Sequence, residues 1–293
     1  MAELAVPLAT RRVVALAKIG AMPSIRVLFA FVLLGLSLSL VAPARAEPPK
    51  TVFLEELTWT ELRDQIQAGK TTVIVPVGGT EQSGPQMVLG KHNVRARVLA
   101  GRIAAALGNA LVAPVLAYVP EGSIEPPAAH MRFPGTISVP DAAFETTLEY
   151  AARSFRRHGF RDIVLIGDHG GYQQSLVKVA ARLNREWAGG PTRVHAVEDY
   201  YRAADVDYAQ ALRRAGFRDD EIGTHAGLAD TSLSLAIDPR LVRTERLRDG
   251  AKFGPADGVR GDPSRSSADA GRAGVDLIVD RTTEAIRKNL ARR

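Results

Sequence analysis

Cysteine is absent from this 293-residue chain. No disulfide can staple it, even in an oxidising compartment, and no lipid can be attached through a cysteine at a cleavage site. Stability has to come from a buried core. Internal repeats, low-complexity blocks and a second domain are also missing. The roughly 247 residues beyond the N-terminal leader are read as one domain, long enough to bury such a core.

An excess of one charge is missing as well, once the leader is set aside. The whole chain carries 38 Lys and Arg against 32 Asp and Glu, a net charge of +6. Residues 1–46 hold five of the basic residues (Arg11, Arg12, Lys18, Arg26, Arg45) and one acidic residue, Glu3, so 33 basic and 31 acidic residues remain beyond them. A net charge of +2 gives no case for nucleic acid or an anionic membrane surface as partner.

A long apolar run, Val27 to Val41, follows Arg26 and ends in Ala42-Pro43-Ala44-Arg45-Ala46 before Glu47. A basic start, an apolar centre and an A-x-A exit are the parts of a secretory signal peptide. The expectation is a signal peptide over 1–46 and a mature domain over 47–293, periplasmic or secreted, with no stable membrane anchor after cleavage. An uncleaved anchor is the competing reading, but the run falls short of the ~20 apolar residues a span needs. Met22-Pro23-Ser24-Ile25-Arg26 makes a compact start of its own, which points to Met22 as the true first residue. Arg11-Arg12 resembles a twin-arginine signal, yet lies far from the apolar run.

Beyond the leader, strands and helices alternate. Thr58-x-x-Glu61 is a capping-box pattern opening a helix to Ala68, with Gly69 as its stop. Buried strands are expected at 71–77, 110–117, 163–167 and 193–197. Helices are expected at 93–107, 141–159, 173–187, 228–237 and 267–290, from apolar residues at helical spacing. Residues 119–135 form a long Pro/Gly-rich loop, a length that usually signals function or disorder. Residues 199–224 give no clear period. This order predicts an α/β fold: a single domain of three α/β/α layers around a mainly parallel sheet.

Histidine is scarce, with six residues in all. His92, His130, His169 and His225 lie on expected loops beside Gly or Pro, as does Glu81. In a doubly wound sheet such loops converge on one edge. A carboxylate and two imidazoles suit Zn²⁺ or Mn²⁺ with positions left open for water. Each residue has a plainer reading too. Glu81 can cap a helix, a His beside Gly is often a turn residue, and Gly170-Gly171 can serve helix packing alone. His158 reads as a solvated helix C-terminal residue and His195 as structural.

Five elements in order give these residues a context. Gly78-Gly79-Thr80-Glu81-Gln82-Ser83-Gly84-Pro85-Gln86-Met87-Val88-Leu89-Gly90-Lys91-His92 is followed by Phe133-Pro134-Gly135-Thr136-Ile137-Ser138. Then come Gly167-Asp168-His169-Gly170-Gly171-Tyr172, His225-Ala226-Gly227-Leu228-Ala229-Asp230-Thr231-Ser232 and Gly258-Val259-Arg260-Gly261-Asp262-Pro263. Together they resemble the creatininase family of metal-dependent amidohydrolases, over about residues 54 to 285. The resemblance implies a creatininase-like fold, a small amide-type substrate and a hexameric homo-oligomer. It also implies a two-metal design in which Glu81 and His169 match ligands of the first ion. His225 matches the position associated with proton transfer, and Asp230 stands where it can orient His225. Ser123, His130 and Tyr172 are carried as substrate-pocket residues.

The departures reshape that implication. His92 stands at the bridging aspartate, Ser83 at a second-ion histidine, and Leu228 at an acidic position. The expectation is therefore one ion at most, held by Glu81, His92 and His169, with Asp168 as a fourth ligand or a carboxylate orienting His169. Two functions follow. One is an exported hydrolase of a cyclic or linear non-peptide amide C–N bond, acting through metal-activated water. Creatinine is disfavoured as its substrate, because the stretch Gly216-Phe217-Arg218-Asp219-Asp220-Glu221 lacks the Trp of the family's creatinine enzymes. The other is a non-catalytic creatininase-fold protein that binds a small ligand or partner.

Overall fold

The computed structural model describes residues 50–248 and 252–292. The expected signal peptide over 1–46 and the start at Met22 lie outside the described residues.

Four strands make one parallel sheet in the order β2-β1-β3-β4: β1 Thr72–Val77, β2 Ala110–Val112, β3 Asp162–Gly167 and β4 Arg193–Ala196. Strands β1 and β3 are buried throughout, as an apolar run covered on both faces must be. Alternate side chains sort into two cores. Val73, Val75, Ile163 and Leu165 pack with α3 (Asp141–Arg157) and α4 (Gln173–Glu186). Ile74, Val164 and Ile166 pack with α2 (Lys91–Leu107), α8 (Leu228–Ile237) and α10 (Ala268–Leu290). The result is the expected three-layer α/β/α arrangement.

Local chemistry explains most of the boundaries. Helix α1 (Trp59–Gln67) opens on the Thr58–Glu61 capping box, each side chain taking the other's backbone N–H. Ser267 caps α10 by accepting from the Ala270 N–H. The expected strand 110–117 stops at Val112. Pro76 on β1 has no N–H to offer there, and the pairing resumes as an isolated bridge at Leu116, whose N–H donates to the Pro76 carbonyl and whose carbonyl accepts from Gly78 N–H.

The stretch without a clear period resolves into α5 (Asp199–Arg202), a π-helical segment Ala203–Asp207, α6 (Tyr208–Arg214) and α7 (Asp219–Ile222). Its buried residues Tyr200, Ala203, Tyr208 and Leu212 are too unevenly spaced for one regular helix. Helix α9 spans Thr244–Arg248. Among the described residues no helix is long and apolar enough to cross a membrane.

All four strands are parallel, so their carboxyl ends share one edge of the sheet. The loops after β1 and β3, the 119–135 loop and the turn before α8 gather there, which is where open α/β sheets place their sites.

Candidate active site

Glu81 sits at the centre of the gathered loops and is wholly buried. Its two oxygens face different company. Oε1 lies 2.7 Å from His92 Nε2 and 3.7 Å from Lys91 Nζ. Oε2 lies 3.2 Å from His130 Nε2 and 3.6 Å from His169 Nε2. Burial works against the Glu81 charge, but His92, Lys91 and His169 outweigh it and hold the carboxyl well below the usual range.

The Oε1 side is filled by protein cations. Helix α2 begins at Lys91, so Lys91, His92 and Arg95 occupy its first turns, all buried. Lys91 Nζ donates to Asp230 Oδ2 at 2.7 Å. Arg95 reaches Asp230 Oδ1 at 2.7 Å and Asp168 Oδ2 at 2.8 Å. His92 spans two carboxylates, Nε2 to Glu81 and Nδ1 to Asp168 Oδ2 at 2.6 Å. Tyr200 Oη donates to the other Asp168 oxygen at 2.7 Å. Burial opposes the charge of Asp168 and Asp230 too, yet Arg95 beside the first, and Lys91 and Arg95 beside the second, keep both below the ordinary Asp value.

The Oε2 side has no such filling. Glu81, Glu121, His130 and His169 each bring one ligand atom, all within 4.8 Å of one another. Glu81 Oε2 and both oxygens of Glu121 are buried without a hydrogen-bond partner among the described residues. Bare carboxylate oxygens in a buried site are costly unless a cation or proton meets them. Burial, then the nearby Glu81 charge, raises Glu121 to about 9. Burial lowers His169 to about 4 and also lowers His130, so both rings are neutral at pH 7 with lone pairs to give. Two carboxylates and two neutral imidazoles make a donor set that fits Zn²⁺ or Mn²⁺. Gly79 makes room for it. Its φ is +150°, and a Cβ there would come within 2.5 Å of Glu121 Oε1.

Several expected roles change. His92 is not placed as a ligand: both ring nitrogens already face carboxylate oxygens of Glu81 and Asp168. Asp168 holds His92, Arg95 and Tyr200 rather than facing the donor group. Tyr172 is no pocket residue. It is fully buried, and its hydroxyl donates to the Gly78 carbonyl at 2.6 Å, pinning the loop after β1 to the loop after β3. Ser123 is exposed and does not line the cavity, its carbonyl accepting from Ala128 N–H. His130 lines the cavity and also belongs to the donor group. Leu228 turns into the core.

His225 lines the cavity. Its Nε2 lies 3.0 Å from the Gln82 carbonyl oxygen and its Nδ1 lies 3.8 Å from Glu81 Oε1. Burial, then the Lys91 charge, lowers it to about 4. Asp230 does not touch the ring. It accepts from Ala226 N–H at 3.0 Å and so fixes the backbone beside His225, at a residue whose φ is +55°. The remaining histidines are structural: His195 meets Asp162 at 2.9 Å, and His158 ends α3.

Glu121, Lys91 and Arg95 were not singled out in sequence. Glu121 had one weak signal, an acidic residue between Pro120 and Gly122 in a loop that carries a histidine. Lys91 and Arg95 had none, because basic residues on a helix usually face water.

The cavity at this edge has a volume of about 800 Å³ and is lined by residues from all the gathered loops. Neither Trp59 nor Trp187 lines it.

Comparison with known proteins shows what the chain as a whole is similar to. The family model described as creatininase, creatinine amidohydrolase, matches residues 55–286. A creatinine amidohydrolase of Pseudomonas putida is 33% identical over 226 residues, 75% of this chain and 85% of its own. A mycofactocin precursor peptide peptidase of Mycolicibacterium smegmatis is 28% identical over 250 residues, 78% and 90% of the two chains. Among solved structures, a creatinine amidohydrolase superposes with a TM-score of 0.69 at 30% identity, covering 82% of this chain and 98% of that one. Similar creatininase structures are described as Mn and Zn–Zn forms.

Proposed function

The chain belongs to the creatininase family of metal-dependent amidohydrolases, and from that premise we propose that it is an exported one-ion enzyme hydrolysing a non-peptide amide C–N bond. The bare oxygens of Glu121 and Glu81 carry this reading, since they are buried donor atoms that only a cation or a proton can satisfy. Glu81, Glu121, His130 and His169 would hold the ion, Zn²⁺ or Mn²⁺. When bound, it would supply Lewis acidity toward the substrate carbonyl and toward water.

The split at Glu81 supports one ion rather than two. The space beside Oε1 is taken by the His92 ring and by Lys91, whose ammonium brings charge into it from the protein itself. Asp168 and Asp230 there are already met by Arg95 and Lys91, which leaves a second dication no vacant ligands.

His225 supplies the proton transfer. Its Nε2–H donates to the Gln82 carbonyl, which turns the Nδ1 lone pair toward Glu81 and the cavity. Held near 4, the ring is neutral at pH 7 and starts as a base. It takes a proton from the attacking water and returns it to the leaving nitrogen. Gln82 Nε2 lies 3.1 Å from His130 Nδ1 and 3.2 Å from His225 Nε2, and thus spaces the two rings. The cavity volume and the absence of Trp from its wall favour a substrate other than creatinine. Export rests on the leader over 1–46 alone.

The test is metal analysis of the purified protein after reconstitution. About one equivalent of Zn or Mn is expected, and Glu81→Gln, Glu121→Gln and His169→Ala should each abolish it. Less than about a tenth of an equivalent in the unsubstituted protein would leave a non-catalytic ligand-binding protein as the reading, the one that the loss of ligands at Ser83 and Leu228 favours. Metal retained in all three variants would show that the donor set is wrong.

A further inference from the structure

Two arginines on the cavity wall have no part in holding the site together. Arg132 and Arg260 both line the cavity and are exposed. Neither meets an acidic side chain within ion-pair distance among the described residues. The other cations of the site behave differently: Lys91 and Arg95 are buried and fully engaged by Asp230 and Asp168.

The backbone ties both arginines to the reacting groups. Arg260 pairs with His225 in an antiparallel bridge: its N–H donates to the His225 carbonyl at 2.8 Å, and its carbonyl accepts from Thr224 and His225. Arg132 closes the short 3₁₀ turn Ala129–Arg132, which carries His130. The rings of His130 and His225 lie 4.5 Å apart, centroid to centroid. Arg132 therefore hangs from the same short turn as His130, and Arg260 from the segment bridged to His225, the neighbouring imidazole. Guanidinium is the side chain suited to planar, bidentate recognition of a carboxylate.

The geometry points to Arg132 and Arg260 as the recognition site for a carboxylate on the substrate, which makes the substrate an amide that bears an acidic group. This rests on the amidohydrolase reading. A cavity of about 800 Å³ has room for an acyl group as well as the acid-bearing part. The two arginines then set specificity: the carboxylate is held beside His130 and His225 while the scissile amide faces Glu81.

The proposal is tested with a matched pair of probes, N-benzoylglycine and its neutral amide N-benzoylglycinamide, titrated calorimetrically into the full-length protein with and without Zn²⁺. The acid should bind about tenfold or more tightly than the amide, and the preference should shrink as salt rises. Arg132→Gln and Arg260→Gln should each reduce the preference several-fold, and the double variant should remove it while leaving affinity for the amide unchanged. Arg260→Lys should keep part of it. Equal affinity for the two probes, no binding of the acid, or a preference that survives the double substitution would overturn the assignment. The metal-free arm separates this from the catalytic reading. A preference that needs Zn²⁺ and ignores the arginines is carboxylate coordination and sinks this proposal alone. Absent metal uptake with the arginine-dependent preference intact sinks the enzyme and leaves the recognition site standing.

Discussion

Lys91 is the residue on which the proposed one-ion site turns. A wholly buried ammonium is tolerated because Asp230 meets it at 2.7 Å and Glu81 lies 3.7 Å away. Removing one partner of such a buried group leaves the other uncompensated, which typically costs about 3–5 kcal/mol. Lys91→Met should therefore lower stability by about that amount in urea unfolding, far more than loss of an exposed pair such as Arg218–Asp220. A loss near zero would mean that Arg95 alone neutralises Asp230. Sequence could not have ranked Lys91 this way. It stood as one letter in a motif, and nothing along the chain indicates that Asp230, 139 residues away, closes over it.

At the scale of elements, the start of α2 is the informative conflict. Lys91 and Arg95 put positive charge at a helix N-terminus, where the macrodipole favours negative charge. The carboxylates of Glu81 and Asp168, from the loops after β1 and β3, and of Asp230, from the first turn of α8, reverse the balance. A local preference overruled in this way is what a functional site looks like in a sequence that is otherwise self-consistent. The loop after β1 shows the same trade. Gly79 and Gly108 both have positive φ, but a Cβ at Gly108 meets open space whereas one at Gly79 meets Glu121. Both alanine variants should lose about 1–2 kcal/mol to backbone strain. Gly79→Ala should also weaken Zn²⁺ binding about tenfold or more, by displacing a ligand. Equal Zn²⁺ affinity in the two variants would remove Glu121 from the donor set. Elements whose ends are set by neighbouring residues, such as α1 and α10, were legible in the sequence. The end of β2 was not, because it depends on Pro76 in an adjacent strand.

For the molecule as a whole, the site ties stability to pH and to metal. Glu121 has a folded-state value of about 9, above the ordinary carboxyl value, so between the two the unfolded chain carries fewer protons than the folded one. Its contribution is fully present below the unfolded value and is lost as pH rises toward 9. His169 and His225, lowered to about 4, act oppositely, but their contribution is complete once pH exceeds the ordinary imidazole value. From pH 7 to 9 Glu121 dominates this group, and the metal-free protein should lose about 2 kcal/mol across that window. Glu121→Gln should flatten the decline, and saturating Zn²⁺ should reverse it, since the ion takes the proton's place. Thermal melts at pH 7, 8 and 9 check this; an unchanged slope in Glu121→Gln would assign the decline to other groups.

The sequence by itself determined the family, the three-layer parallel fold and two members of the donor set, Glu81 and His169. These are properties of runs, caps and ordered motifs, whose information is local. Glu81 and His169 also follow directly from the ends of β1 and β3, so their meeting is implied by parallel topology. Only the tertiary structure decided the rest. It turned His92 from ligand to bridge between Glu81 and Asp168, sent Tyr172 into the loop packing, and left Ser123 outside the cavity. It also brought Glu121 and His130 from the long loop to the bare oxygen of Glu81. The physical reason is that a side chain's role in a buried polar site is set by which partners desolvate it and which satisfy it, and those partners come from loops far apart along the chain.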